Sequence, residues 1–317
     1  MAAIDLDRSA QERWNDRPRP AYHTISVRPI GAALGAEVSG IDWTRPLPVE
    51  QIAEIRTAIG DNLVLVFRDQ PLDRAAHKQF GRAFGTLHCH ALARNRAGDQ
   101  DFDPEVLAWK TDRNSRYTAG EGWHADVTCD ANPIWLSMLR ITRLPECGGG
   151  DTLFANMHLA WDLLSAPLQT MLLGLDAVHD GALPWTQAYG VAPPQGQDFA
   201  RNTHPVVARH PYSGRPYLNV NSGFTTAIVG LQPAESSTLL QMLFRHVESL
   251  VQIHNRIGWS PDTMVVWDNR AVQHRAVWDY YPHQRWGERV SVLIDQPPQR
   301  WSAATAADGV EQAALVG

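Results

Sequence analysis

Apolar and polar positions along this chain change places in short blocks. Pro48–Gly60 reads PVEQIAEIRTAIG, and its Ile52, Ile55 and Ile59 recur at helical spacing, which predicts an amphipathic helix. The run from Asn62 to Phe67 is short and almost wholly apolar, the pattern of a buried strand. Asp73 is placed to cap a helix that runs through Phe84 and stops at Gly85. Leu159–Leu173 and Ser236–Leu250 also carry helical periodicity, while Gly122–Thr128, Ile134–Thr142, Thr263–Trp267 and Arg289–Asp295 read as strands. Short β-like runs broken by glycine predict a hairpin over His23–Trp43. Residues 91–120 and 181–203 are polar and punctuated by Gly and Pro, and read as long loops of the kind that carry function or move. Residues 1–21 read as a mobile arm. Short strands with turn signals, interrupted by a few helices and lacking regular β–α alternation, predict a mainly β fold with helical insertions, a β-sandwich or jelly roll.

Charge and composition narrow the function. The 317 residues carry 34 acidic and 28 basic side chains, a formal net charge of −6, without a basic block. Nucleic acid is therefore a poor partner, since phosphate binding needs clustered Lys and Arg. No uncharged apolar run approaches the roughly 20 residues of a spanning helix, and the first residues alternate charges where a secretory signal would be apolar. A cytoplasmic protein without a membrane partner is expected. Three scattered cysteines, Cys89, Cys129 and Cys147, make neither a disulfide framework nor a zinc cluster. Phosphate-loop, dinucleotide-fold, nucleophile-elbow and H-E-x-x-H patterns are absent. Gly148–Gly150 reads as a tight turn, because no Lys-Ser/Thr follows it.

Candidate chemistry begins at Trp123-His124-Ala125-Asp126. On a strand, His124 and Asp126 would project from one face, giving two-thirds of the two-histidine, one-carboxylate set that holds non-haem Fe(II) with open positions. Spacing alone fits a surface His–Asp hydrogen bond equally well. A third donor stands 148 residues after Asp126, at His274, after the strand-like run ending at Trp267. Arg285 lies 11 residues beyond His274, with Arg289 four further on. They share a face if the last strand starts early, and a guanidinium fork suits a carboxylate.

Taken in order, these segments resemble the taurine dioxygenase family. They are Trp123-His124-Ala-Asp126-Val-Thr, Gly149-Gly-Asp-Thr152-Leu, Thr203-His-Pro-Val-Val, Val220-Asn-Ser-Gly-Phe224-Thr-Thr, Trp267-Asp-Asn-Arg-Ala-Val-Gln-His274 and Arg285-x-x-x-Arg289. That family comprises Fe(II)- and 2-oxoglutarate-dependent dioxygenases, including alkylsulfatases and phenoxyacetate dioxygenases. The similarity runs from about Ser26 to Asp295. It implies a double-stranded β-helix (jelly roll) core in a single domain over 22–300, with 301–317 as a tail. It also implies Fe(II), 2-oxoglutarate and O2, with His124, Asp126 and His274 as iron ligands and with Arg285 and Thr152 holding the distal carboxylate of 2-oxoglutarate. Arg289 and His90 match residues that grip the anionic group of the substrate. Trp185 and Asn219 stand where phenylalanines line its pocket, Gly120 where an asparagine contacts it and Ala93 where a tyrosine sits nearby. These departures argue against taurine itself and leave a larger or aromatic acid or an alkyl sulfate.

The reaction so implied is hydroxylation of a C–H of a small anionic organic substrate, coupled to decarboxylation of 2-oxoglutarate to succinate and CO2. Asp126 fills a site that a halide would need, which favours hydroxylation over halogenation. A homo-oligomer is left open. The competing readings are a catalytically inactive jelly-roll binding protein, a hydroxylase of natural-product biosynthesis and a hydrolytic zinc enzyme with the same donor set. Thr152 and Arg285 disfavour the last, which has no need of an anion site beside the metal.

Overall fold

The computed structural model describes residues 2–43, 45–90, 102–118, 120–189, 191–193 and 195–302. In chain order the elements are α1 (Ala2–Asn15), β1 (Ser26–Pro29), β2 (Ala36–Ser39), α2 (Val49–Asn62), β3 (Val64–Phe67), α3 (Arg74–Arg82), β4 (Leu107–Thr111), β5 (Ile134–Arg143) and β6 (Thr152–Asn156). There follow α4 (Met157–Asp162), α5 (Ala166–Leu172), β7 (Asp176–Asp180), α6 (Ala182–Tyr189), β8 (Arg201–Pro205), β9 (Val207–Arg209), β10 (Pro216–Leu218) and β11 (Thr225–Ile228). The chain continues through α7 (Pro233–Ser249), β12 (His254–Ile257), β13 (Met264–Asp268), β14 (Val272–Ala276), β15 (Arg285–Leu293) and β16 (Gln299–Arg300). Among the described residues sixteen strands in four sheets stand against seven α-helices, so the fold is mostly β.

The apolar runs at β3 and β13 become the middle of a seven-stranded sheet, ordered β1-β2-β3-β13-β5-β15-β4. Only the β2–β3 pair is parallel among its ladders. Every residue of β3 and β13 is buried. The strand period of two explains why: Leu65, Phe67, Met264 and Val266 point to one core, and Val64, Val66, Val265 and Trp267 to the other. The first core is closed by Ile55 and Ile59 of α2 and Phe80 of α3. The second holds Phe154, Val272 and Ile257 from the three-stranded sheet β12-β6-β14. The metal-ligand candidates lie between that small sheet and the large one. Among the described residues no helix is long and apolar enough to cross a membrane.

Four expectations need correction. Residues 1–21 are not a loose arm, because α1 buries Ala10 and Trp14, the Trp14 indole donates to Ala32 O at 3.1 Å, and Arg17 pairs with Asp61 at 3.0 Å. The helix expected over Leu159–Leu173 is two helices. Pro167 has no N–H and fits only a first turn, so α5 starts afresh from Ser165. The segment Gly122–Thr128 is not a strand; it makes one bridge, His124 to His274, and then turns. The two long loops contain β4, α6 and β8. Residues 91–101, and Ala93 with them, lie outside the described residues, as does 303–317 of the expected tail.

Candidate metal and cosubstrate site

His274 sits at the centre of β14, paired with Phe154 of β6. Its N–H donates to His124 O at 2.8 Å, and the His124 N–H donates back to His274 O at 3.1 Å. This bridge brings the two imidazoles together, with ring centroids 4.1 Å apart. His124 Nδ1 meets Gly122 O at 2.8 Å, so it carries the proton and leaves Nε2 as a lone-pair donor. Glycines make room for this ring. A Cβ at Gly120, whose φ is +81°, would lie 3.0 Å from His124 Cε1, and one at Gly223 would lie 2.7 Å from His124 Cβ.

Asp126 stands in the turn after the bridge. Asn269 clamps its peptide, since Asn269 Oδ1 accepts the Asp126 N–H at 2.8 Å while Asn269 Nδ2 donates to Asp126 O at 2.9 Å and to Ile134 O at 3.0 Å. The next residue, Val127, has a φ of +50°, a costly conformation for a β-branched side chain that this clamp helps to hold. Thr128 closes the far side of the turn, its hydroxyl 3.0 Å from His179 Nδ1. Asp126 is 2% exposed; its Oδ2 accepts from Ser137 at 2.8 Å and its Oδ1 is paired with Arg289 Nη1. Burial alone would raise the carboxyl pKa, but Arg289, His274 and His124 hold it well below the usual range. Burial, with His124 and Arg289 adding, pushes His274 well down, so the imidazole is neutral and fit to donate to a metal.

His124 Nε2 and His274 Nε2 lie 3.6 and 3.7 Å from Asp126 Oδ1. All three donor atoms fall within 4.8 Å of one another. Two imidazole nitrogens and one carboxylate oxygen this close together match the donor set that binds Fe(II) and leaves positions open for other ligands.

The inner face of β15 continues the site. Arg285, Gly287, Arg289 and Ser291 are two residues apart and share that face, and Ser291 Oγ is 3.4 Å from Ser137 Oγ. Arg285 is 2% exposed, and burial lowers its guanidinium pKa. Its Nε and Nη2 are buried without an acceptor among the described residues. An unpaired buried guanidinium is expensive, and a carboxylate is its natural partner. Gly150, at φ +71°, makes way for it, because a Cβ there would lie 2.7 Å from Arg285 Cδ. The predicted tight turn therefore has a second use. Thr152 is buried beside this group, its Oγ1 accepting from Trp259 Nε1 at 3.2 Å, and the Arg285 guanidinium lies 5.8 Å from the Trp259 ring.

The remaining candidates divide. Burial, with Arg289 and His88 adding, pushes His90 down to about 4, and its ring meets the His88 ring edge-on at 6.0 Å. Trp185 lies on α6, a helix tied to the chain beside His124 through Gln187 Nε2 and Ser222 O at 2.9 Å, and its ring faces Phe199 at 6.2 Å. Asn219 spends its amide on Pro205 O at 3.1 Å, and no described contact joins it to the His–Asp–His group. Sequence reasoning did not single out Asn269, Ser137 or Trp259. Asn269 was within reach, standing inside the Trp267–His274 segment, and Ser137 is the one hydroxyl in the apolar stretch Ile134–Leu139.

The resemblance extends over the whole length of this arrangement. Residues 26–291 match the model of the "Taurine catabolism dioxygenase TauD, TfdA family". An alpha-ketoglutarate-dependent (2-oxoglutarate-dependent) sulfonate dioxygenase of Saccharomyces cerevisiae is 32% identical over 284 residues, covering 86% of this chain and 68% of the relative. An alpha-ketoglutarate-dependent sulfate ester dioxygenase of Pseudomonas putida is 30% identical, covering 86% of this chain and 91% of that one. The crystal structure of a taurine dioxygenase from Burkholderia xenovorans superposes with a TM-score of 0.72 at 32% identity, covering 91% of this chain and 99% of its own. With a family match across most of its length and a His–Asp–His group that suits ferrous iron, the chain belongs to the TauD/TfdA family of Fe(II)- and 2-oxoglutarate-dependent dioxygenases, which use O2 as oxidant.

Proposed function

We propose that this enzyme hydroxylates a C–H next to the anionic group of a small organic sulfonate or sulfate ester, and that its strands form a double-stranded β-helix around the site. His124, Asp126 and His274 would hold the iron, and Arg285 with Thr152 the distal carboxylate of 2-oxoglutarate. Bound iron supplies oxygen activation and the oxidising power. The chain's residues do the rest. Arg285 anchors the keto acid from a buried position where competing water is scarce. Arg289 keeps Asp126 ionised through Nη1 and has its Nε without an acceptor among the described residues, so it can pair with the anionic group of the substrate. His90 lies beside it, and Trp185 on α6 bounds the pocket towards His124.

For a sulfate ester the carbon–hydrogen bond becomes carbon–hydroxyl, and the product collapses to an aldehyde and sulfate. One O2 and one 2-oxoglutarate are consumed, with release of succinate and CO2. The observation that carries this reading is the buried, acceptor-less Arg285 fork on the same sheet face as the Asp126–Arg289 pair. Relatives named for sulfonate and sulfate ester oxidation support the substrate class.

The test is a panel of medium-chain alkyl sulfates, alkyl sulfonates and aryloxyacetates, incubated with Fe(II), 2-oxoglutarate and oxygen. Sulfate, sulfite and aldehyde are measured against succinate. Stoichiometric release from a sulfate ester or a sulfonate, lost in Arg289→Ala while uncoupled succinate formation persists, is the expected result. Turnover of the aryloxyacetates alone would overturn the substrate class.

A further inference from the structure

Gly287 stands between Arg285 and Arg289 on the inner face of β15, and Trp109 of β4 lies directly across from it in unbroken register. Cross-strand partners project to the same side, so the Trp109 indole enters the space that separates the two guanidinium groups. The fit is close. A Cβ at Gly287 would lie 2.6 Å from Trp109 Cζ2 and 2.9 Å from Cε2 and Cη2. Any side chain at 287 would displace the indole. Gly287 has no positive φ, so close approach of the ring is the reason for glycine here. The indole N–H is buried with no acceptor among the described residues, like Nε and Nη2 of Arg285. What sets the Trp109 donor apart is its place across from Gly287, between two guanidinium groups, where a ligand rich in acceptors would satisfy it and Arg285 together.

Because Arg289 pairs with Asp126 and Gly287 lies between it and Arg285, a keto acid that reaches from Arg285 to the His–Asp–His group along this face passes the Gly287–Trp109 pair. We infer that Trp109 is a specificity-determining wall of the cosubstrate slot: its ring sets the length of keto diacid the slot accepts, and its N–H donates to a carboxylate oxygen of that acid. This inference rests on the cosubstrate role proposed for Arg285.

The experiment is anaerobic calorimetric titration of the Mn(II)-loaded protein with 2-oxoglutarate and with 2-oxoadipate, one methylene longer. Thermal unfolding of each variant checks that it folds. In Trp109→Ala the preference for 2-oxoglutarate should shift towards 2-oxoadipate by about tenfold or more, the scale of one methylene in a shaped pocket. Trp109→Phe keeps the ring and should retain the preference, while binding both acids several-fold more weakly for want of the N–H. Gly287→Ala should weaken 2-oxoglutarate binding, and adding Trp109→Leu should recover part of the loss. Unchanged selectivity in Trp109→Ala, with Arg285→Gln still abolishing 2-oxoglutarate binding, would overturn the wall alone. No 2-oxoglutarate binding by the unaltered protein would overturn the cosubstrate assignment as well.

Discussion

Replacing Asn269 with alanine should cripple the metal site without touching a ligand. Asn269 is 2% exposed and makes three hydrogen bonds, two of them to the peptide groups of Asp126. Its loss removes three buried bonds of about 1 kcal/mol each, and leaves one N–H and two carbonyls to find water or go unpaired at about 1–3 kcal/mol apiece. Since partial relaxation lets some of these groups re-pair, a loss of about 3–5 kcal/mol is expected. That is a large share of the 5–15 kcal/mol typical of a folded domain. Asn269→Asp keeps the acceptor for the Asp126 N–H and loses both donors, so it should fall between. The turn holding Val127 at positive φ would relax, and Fe(II) affinity should drop by about 10- to 100-fold, as for other residues that orient metal ligands. Urea unfolding of the metal-free protein and anaerobic Fe(II) titration of the folded fraction measure the two effects separately. A variant within about 1 kcal/mol of the parent, binding iron equally well, would refute the claim that this clamp positions Asp126.

Other outcomes follow from single features. Gly150→Ala should raise the 2-oxoglutarate KM well beyond Gly148→Ala, because both glycines have φ above +70° but only the first would drive a Cβ against Arg285; equal effects in steady-state kinetics would contradict this. His77 is buried in neutral form, held at about 4 by burial and Arg140. Its contribution is present above the unfolded value of about 6.5 and is lost as pH falls from there to about 4, costing about 3 kcal/mol; urea midpoints across that range should flatten in His77→Phe. Trp14→Ala should cost about 3–5 kcal/mol while leaving 2-oxoglutarate binding unchanged, since Ala32 and His158, partners of Trp14, make no described contact with Arg285.

Much of the architecture is legible in the sequence because a single physical signal dominates. The apolar runs of β3 and β13 are buried on both faces, and nothing competes with that reading. The His124–Asp126–His274 group was reachable because its residue types are few and chemically specific. What stayed hidden depends on partners far away in the chain. Ile4, Leu6, Ala10 and Trp14 are scattered through a polar segment without a clear pattern, and only the docking of Ala10 and Trp14 makes α1 part of the core. Leu107, Trp109 and Thr111 alternate, but β4 is an edge strand five residues long, recognisable chiefly through its ladder with β15. The strand rule places His124 and Asp126 side by side, and the structure brings them together by another route: a bridge and a clamped turn, not a continuous strand, aim them at one point. The pairing of Arg289 with Asp126 across 163 residues has no local signal at all.

The proposed chemistry needs one ferrous ion and one keto acid to meet between the two sheets. Anaerobic titration of the Fe(II)-loaded protein with 2-oxoglutarate, followed by calorimetry and visible charge-transfer absorption, tests this directly. One equivalent should bind with a new absorption band. His274→Ala should lose the iron and the band together, while Arg285→Gln should keep the iron and lose 2-oxoglutarate. Binding of 2-oxoglutarate that survives Arg285→Gln unchanged, or iron that stays bound in His274→Ala with undiminished affinity, would contradict the account.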